Sequence, residues 1–375
     1  MNNSTIIAGE AQSSLTEIML EFVRAAVLER LPVIPQDVEI DWDRLMDVAT
    51  KQGLLALVWD GICKLPVEQQ PPRQQRINWG LSAQEIWNDY YLHKRVLSDI
   101  VLKCKQNDIK VLLLKGIGLS GIYPKCESRP SGDIDIFLFG EYEKGNLLLS
   151  DNNYSFGGKH SSFRYEGVLV ENHQNFFYHG TEVQRKVDDY LFSNISKSIL
   201  CEGGYYILPA VAGLVHLLLH SMVHLNNPQE HITIRNVVDV ASYILFYQSH
   251  LDPVKCGETM RQLGMEKIFD LFLQLSEWVL DENFSQYRNV LVKKSEDLDC
   301  AITLLIDDFL RSPKFDNHSF LKQLRQHYVY HKTTKWKYSY LPNWKTLNNN
   351  LFKEQLSFFI KSILGIPFNE SIKNR

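Results

Sequence analysis

The sequence predicts an α+β protein in which a few strands near the middle of the chain are enclosed by helical regions on both sides. Three observations predict it. Residues 133–139 alternate Ile134, Ile136 and Leu138 with Asp133, Asp135 and Phe137, the period of a strand with one buried face. Between Leu81 and Gln106, apolar positions (Ile86, Tyr90, Leu97, Ile100, Val101, Cys104) recur at helical spacing. From Pro209 onward the pattern is almost purely helical. The expected organisation is a helical region over 1–94, an α/β core over 95–205, a helical domain over 206–310 and a basic, aromatic helical tail over 311–375.

The elements follow in order. Ser14-Leu-Thr-Glu17 has the form of a capping box, opening a helix through Ile18, Phe22, Ala25 and Ala26. Residues 41–64 read as one or two further helices, and Gln69-Gln-Pro-Pro72 as a linker. Strands are expected near 110–114, 133–139, 163–171 and 174–179, with a helix over 141–149 and a turn at Asp151-Asn-Asn-Tyr154. Later breaks fall at Leu251-Asp-Pro253 and Leu341-Pro342.

Composition bounds the function. With 375 residues, 45% apolar and 22% charged, this is an ordinary globular composition with room for two or three modules. The N-terminus has no basic stretch leading into an apolar one, so no signal peptide is expected and the localisation expected is cytoplasmic. Six scattered cysteines without a Cys-x2-Cys pair read as reduced thiols. The net charge of −4 hides an asymmetry: residues 311–375 carry 12 Lys/Arg against 3 Asp/Glu, the rest 28 against 41. Interleaved with Tyr328, Tyr330, Trp336, Tyr338, Tyr340 and Trp344, those cations suit nucleic acid or an anionic membrane. A terminal cap with packed aromatics and solvated lysines is the favoured reading.

The chemistry is concentrated in three short segments. Asp133 and Asp135, one residue apart on a strand, point to the same side and repel each other unless solvent or a cation lies between them. Neutralising either is expected to leave the fold intact or slightly more stable. Hard oxygen ligands with open coordination positions suit Mg²⁺ carrying a phosphate-bearing substrate. Eighteen residues before Asp133, Lys115-Gly116 ends the apolar run from Ile109, where a turn into a short helix would offer backbone N–H groups and a point charge to an anion. In Gly167 to Phe177, Leu169, Glu171 and His173 share one face. If that strand pairs with 133–139, Glu171 completes a three-carboxylate cluster, with Asp188 or Asp189 as the fallback third acid.

In this order, Leu-Leu-Lys115-Gly116, Arg129-Pro-x-x-Asp133-Ile-Asp135 and Val-Glu171-x-His173 resemble the uncharacterised bacterial nucleotidyltransferases of the DNA polymerase β superfamily. Asp41-Trp42 and the Gln52-Gly-Leu-Leu segment resemble that family's helical lead-in. His216-x3-His220-x3-His224 and Arg235-x3-Asp239 resemble its helical half. The likeness spans roughly residues 15–250. Lys115-Gly116 stands where the superfamily usually has Gly-Ser, and the third acid is Glu rather than Asp.

The resemblance implies a mixed-sheet core and transfer of a nucleoside monophosphate from a nucleoside triphosphate to an unknown acceptor. Asp133, Asp135 and Glu171 would hold two Mg²⁺ ions, with Glu171 beside the acceptor hydroxyl. Lys115 and the Gly116 amides would steady the β- and γ-phosphates, and Arg129 would neutralise charge developing in the transition state. His173 would orient Glu171 or simply pack. The histidine stripe invites a zinc reading, yet His216, His220 and His224 lie on an apolar face without a His-Glu-x-x-His pairing. Core or cleft histidines are expected, with His220 or His224, Arg235 and Asp239 lining the cleft, although Arg235 and Asp239 also have the spacing of a helix ion pair. The rivals are a catalytically weak or inactive nucleotide-binding module of the same fold and an interaction protein recruited through the basic tail.

Overall fold

The computed structural model describes residues 3–35, 38–150, 153–226, 232–307, 329 and 332–341, with side chains from Leu15 onward. Most of the basic tail, residues 151 and 152 of the expected turn, and Pro342 lie outside the described residues.

Four helices lead in: α1 (Asn3–Val27), α2 (Trp42–Lys51), α3 (Leu55–Ile62) and α4 (Arg73–Lys105). The first opens at Asn3, not at Ser14, because no proline interrupts the preceding stretch and propagating an existing helix costs less than starting one. The carboxylate of Asp41 caps α2 by accepting from Arg44 N. Helices α1 and α3 cross so closely that a Cβ on Gly61 would stand 2.2 Å from the Phe22 carbonyl oxygen, so only glycine fits there.

The sheet comprises β1 (Leu112–Leu113), β2 (Asp133–Phe137), β3 (Ser155–Phe156), β4 (His160–Tyr165), β5 (Val168–His173), β6 (Ile199–Leu200) and β7 (Tyr206–Ile207). Its order is β3-β4-β5-β2-β1-β7-β6, with β2/β5 and β1/β7 parallel and the other pairs antiparallel, so the sheet is mixed. Between strands lie α5 (Tyr142–Ser150) and α6 (Glu182–Asn194). The turn after β1 is a 3-10 segment over Gly116–Ile122.

Two strand expectations change. The single strand expected over 163–171 is a tight hairpin, with Tyr165 opposite Val168 and the chain reversing at Glu166 (φ 47) and Gly167 (φ 85). Left-handed φ at both central residues is what a two-residue hairpin turn needs. Residues 174–179 form no strand, because Asp188 of α6 accepts from the Phe176 and Phe177 N–H groups and takes up the backbone donors a ladder would use.

One sheet face packs on α4 and α5 through Val96, Ile100, Cys104, Ile134, Ile136, Leu138, Val168 and Val170. The other faces a larger core that runs from Leu15 of α1 to the C-terminal helices and includes Phe137 and Phe176. Those helices are α7 (Ala210–Asn226), α8 (Ile234–Phe246), α9 (Pro253–Leu263), α10 (Glu266–Leu280), α11 (Ser285–Arg288) and α12 (Leu298–Ile306). The Asp252-Pro253 break is the start of α9, with Asp252 as cap and Pro253 in the first turn. Gln52 ties the two helical regions together: its Oε1 accepts from Ile234 N and its Nε2 donates to the Leu305 carbonyl. In the described piece of the tail, Tyr340 and Leu341 are buried in this core, and Tyr340 bonds to Ser295 and Asp297.

Candidate active site

The parallel register of β2 and β5 sets Asp135 beside Glu171 and Asp133 beside Leu169. Because Ile134, Ile136, Val168 and Val170 fill the core on one face, Asp133, Asp135, Glu171 and His173 must emerge on the other. Ligand oxygens of Asp133, Asp135 and Glu171 lie within 4.8 Å of one another. Asp135 is completely buried, while Glu171 and Asp133 open towards solvent with side chains 17% and 28% exposed. One Asp135 oxygen, Oδ2, is buried without a hydrogen-bond partner among the described residues.

The cluster is partly neutralised by Lys115, delivered by the turn after β1. Its Nζ stands 2.6 Å from Asp135 Oδ1 and 3.7 Å from Asp133 Oδ2. His173 Nε2 lies 2.9 Å from the same Asp135 oxygen and 3.6 Å from Glu171 Oε2, and His160 Nε2 lies 3.4 Å from Glu171 Oε1. Burial works to raise the Asp135 carboxyl, but Lys115 and His173 override it and hold it well below the usual range. Asp133 has no such compensation: burial and the Asp135 charge push its carboxyl up. For Lys115, burial favours loss of the proton, but Asp135 and Asp133 outweigh it and hold the ammonium charged. On Glu171, burial is outweighed chiefly by the His173 hydrogen bond, so its carboxyl is lowered. Burial brings His160 down to about 4, which leaves its imidazole neutral.

Gly116 adopts φ +59, and a Cβ there would stand 2.8 Å from Ser131 Oγ and 3.0 Å from the Asp133 carbonyl, so the turn needs glycine. Its carbonyl accepts from Arg129 Nη1 at 2.7 Å. The same guanidinium grips Asp239 on α8 with two bonds of 2.8 Å, and Tyr123 donates to Asp239 at 2.6 Å. Burial raises the Asp239 carboxyl, but Arg129 outweighs it and the carboxyl ends below the usual range. Arg129 is thus 5% exposed and spent on fixing the Gly116 turn to α8. A direct phosphate contact from it does not fit this placement.

Arg235, one turn before Asp239, finds that carboxylate already occupied. Its Nε is buried without a hydrogen-bond partner, and its guanidinium lies over Gly53, where a Cβ would be 3.4 Å from Nη1. Burial first, then the Arg129 charge, disfavours its charged form. In the histidine stripe of α7, His216 packs on Phe177 with ring centroids 5.3 Å apart, and His220 and His224 approach at 3.0 Å between Nε2 atoms. The fallback acid Asp188 is committed to Phe176, Phe177 and His179. The sequence pattern singles out neither His160 nor Tyr123. A hairpin reading of 160–173 would have set His160 opposite His173, whereas nothing local pairs Tyr123 with a residue 116 positions later.

Oxygen donors that converge around a buried, unpartnered carboxylate oxygen, with an ammonium already drawn in, fit a hard divalent cation. Among the described residues no helix is long and apolar enough to cross a membrane. A family model described as an uncharacterised nucleotidyltransferase matches residues 38–281. No curated protein and no solved structure matches the chain.

Proposed function

The chain belongs to this uncharacterised nucleotidyltransferase family, and on that premise we propose that it is an Mg²⁺-dependent enzyme moving a nucleoside monophosphate from a nucleoside triphosphate to an acceptor hydroxyl. The acceptor oxygen bonds to the α-phosphorus, the bond to the β-phosphate oxygen breaks, and pyrophosphate leaves. The observation that carries the reading is the convergence of Asp133, Asp135 and Glu171 within 4.8 Å beside Lys115. Asp133, Asp135 and Glu171 would hold two Mg²⁺ ions, which when bound clamp the attacking and leaving oxygens of an in-line displacement.

The protein's own groups have distinct tasks. Glu171, ionised and open to solvent on one side, accepts the proton of the acceptor hydroxyl. Lys115 serves two anions in turn, Asp135 as described and the β- and γ-phosphates of a bound triphosphate, beside the amides of the Gly116 turn. Arg129 positions that turn through Gly116 and Asp239. Arg235, whose buried Nε has no hydrogen-bond partner among the described residues, is the second phosphate contact. His173 orients Asp135 and Glu171.

The test is incubation of the full chain with α-labelled triphosphates, Mg²⁺ and a panel of hydroxyl acceptors. The wild type should transfer label and the Asp133→Asn/Asp135→Asn double variant should not. Equal transfer by the double variant would refute the two-metal reading. Triphosphate binding without any transfer by the wild type would establish the inactive nucleotide-binding module instead.

A further inference from the structure

The register of the β4/β5 hairpin sets His160 directly opposite His173, with Glu171 two residues before it on the same face. His160, Glu171 and His173 each offer a ligand atom, and these atoms lie within 4.8 Å of one another. This group overlaps the acid cluster only at Glu171, and its chemistry differs. Three oxygens suit Mg²⁺, whereas two imidazoles and a carboxylate suit a first-row transition metal such as Zn²⁺.

The imidazole–carboxylate spacings are close to those of metal ligands. Ligand atoms about 2.1 Å from a shared tetrahedral centre stand about 3.4 Å apart. Here His160 Nε2 is 3.4 Å from Glu171 Oε1, and His173 Nε2 is 3.6 Å from Glu171 Oε2. On the other side of the ring, His173 Nδ1 lies 3.4 Å from the Asn175 carbonyl oxygen. A ring N–H given to a backbone carbonyl is also the usual support of a metal-bound histidine.

We infer that His160, His173 and Glu171 bind a Zn²⁺-class transition-metal ion, with the Glu171 carboxylate bridging it to the neighbouring acid site. The ion neutralises charge that Lys115 alone leaves on three carboxylates and fixes Glu171 in one rotamer. It stands apart from the nucleotidyl-transfer reading, because ligand chemistry and geometry alone support it.

The test is a Co²⁺ titration of the metal-free full chain, read by ligand-field absorption and by competition with Zn²⁺. One equivalent of low-symmetry Co²⁺ should bind and be displaced by Zn²⁺. His160→Ala and His173→Ala should each weaken it by more than the roughly 10- to 100-fold that losing an outer partner costs. Asp133→Asn should bind Co²⁺ within a few-fold of wild type. His160→Gln, at a half-buried strand position, gives a milder variant should His173→Ala fail to fold. The inference is overturned if no such absorption develops, or if the His160 variants bind Co²⁺ as tightly as the wild type. Mg²⁺-dependent triphosphate binding, measured on the His160 variants in parallel, reports on the transfer reading separately.

Discussion

Replacing Lys115 by methionine removes the cation that Asp135 holds at 2.6 Å while keeping the chain volume. Asp135 is fully buried and keeps only His173, with Asp133 and Glu171 as like-charged neighbours. Breaking a buried pair by removing one partner costs about 3–5 kcal/mol. The low end applies, because the Asp133 side is 28% exposed and water can partly screen the site. At about 2 °C per kcal/mol for a large domain, the loss corresponds to roughly 6 °C in Tm.

The acid limb should move as well. Lys115 helps hold the Asp135 carboxyl below its unfolded value of about 3.9, so the stability it contributes is present above that pH and is lost as pH falls through the folded value. Without Lys115 that depression shrinks, and acid unfolding should begin at higher pH. Differential scanning fluorimetry in EDTA and in excess Mg²⁺ is the assay. Mg²⁺ should raise Tm more for Lys115→Met than for wild type, because the ammonium no longer competes for Asp135. Equal melting of the two proteins in EDTA, or no added response to Mg²⁺, would refute the picture of Lys115 as the cation holding the acid cluster.

Three further substitutions separate the roles. Asp135→Asn should destabilise the protein, since Lys115 and His173 lose their charged partner, while Asp133→Asn should be neutral or slightly stabilising; paired denaturant titrations decide it. Asp239→Asn should cost about 3–5 kcal/mol by leaving Arg129 buried without its carboxylate, and retained stability in urea would contradict the strap from the Gly116 turn to α8. Arg235→Ala should leave the apo fold at least as stable, because it deletes a buried cation that desolvation disfavours and whose Nε has no hydrogen-bond partner among the described residues, yet raise the triphosphate KM roughly 10- to 100-fold, the worth of a charged hydrogen bond of about 1.5–3 kcal/mol. An unchanged KM would remove Arg235 from the phosphate site.

The acid cluster is legible because strand alternation is strict: Ile134 and Ile136 on β2, and Val168 and Val170 on β5, commit one face to the core and leave the acids the other. The expectation that Asp135 is simply repelled by Asp133 changes because its partners are brought in from elsewhere, Lys115 by the turn after β1 and His173 by β5. His160 stays hidden as long as residues 163–171 read as one strand. The signal is a phase break: Phe163 and Tyr165 alternate in odd register, Val168 and Val170 in even, and the slip falls at the Glu166-Gly167 turn. Arg129 is expected at the phosphates because a loop arginine before Asp-x-Asp carries no mark of a partner 110 residues away. The Gln52-Gly53 segment stands out in the sequence only as part of a resemblance; its physical role is to dock α8 and seat Arg235.

The central claim is that these acids serve transfer of the α-phosphoryl group, and double-labelled triphosphate tests it most directly. With Mg²⁺ and an acceptor, wild-type protein should place the α-label on the acceptor and release the γ-label as pyrophosphate in equal amounts, both lost in the Asp133→Asn/Asp135→Asn variant. Appearance of the γ-label on the acceptor, or of neither label while the triphosphate binds, would contradict it.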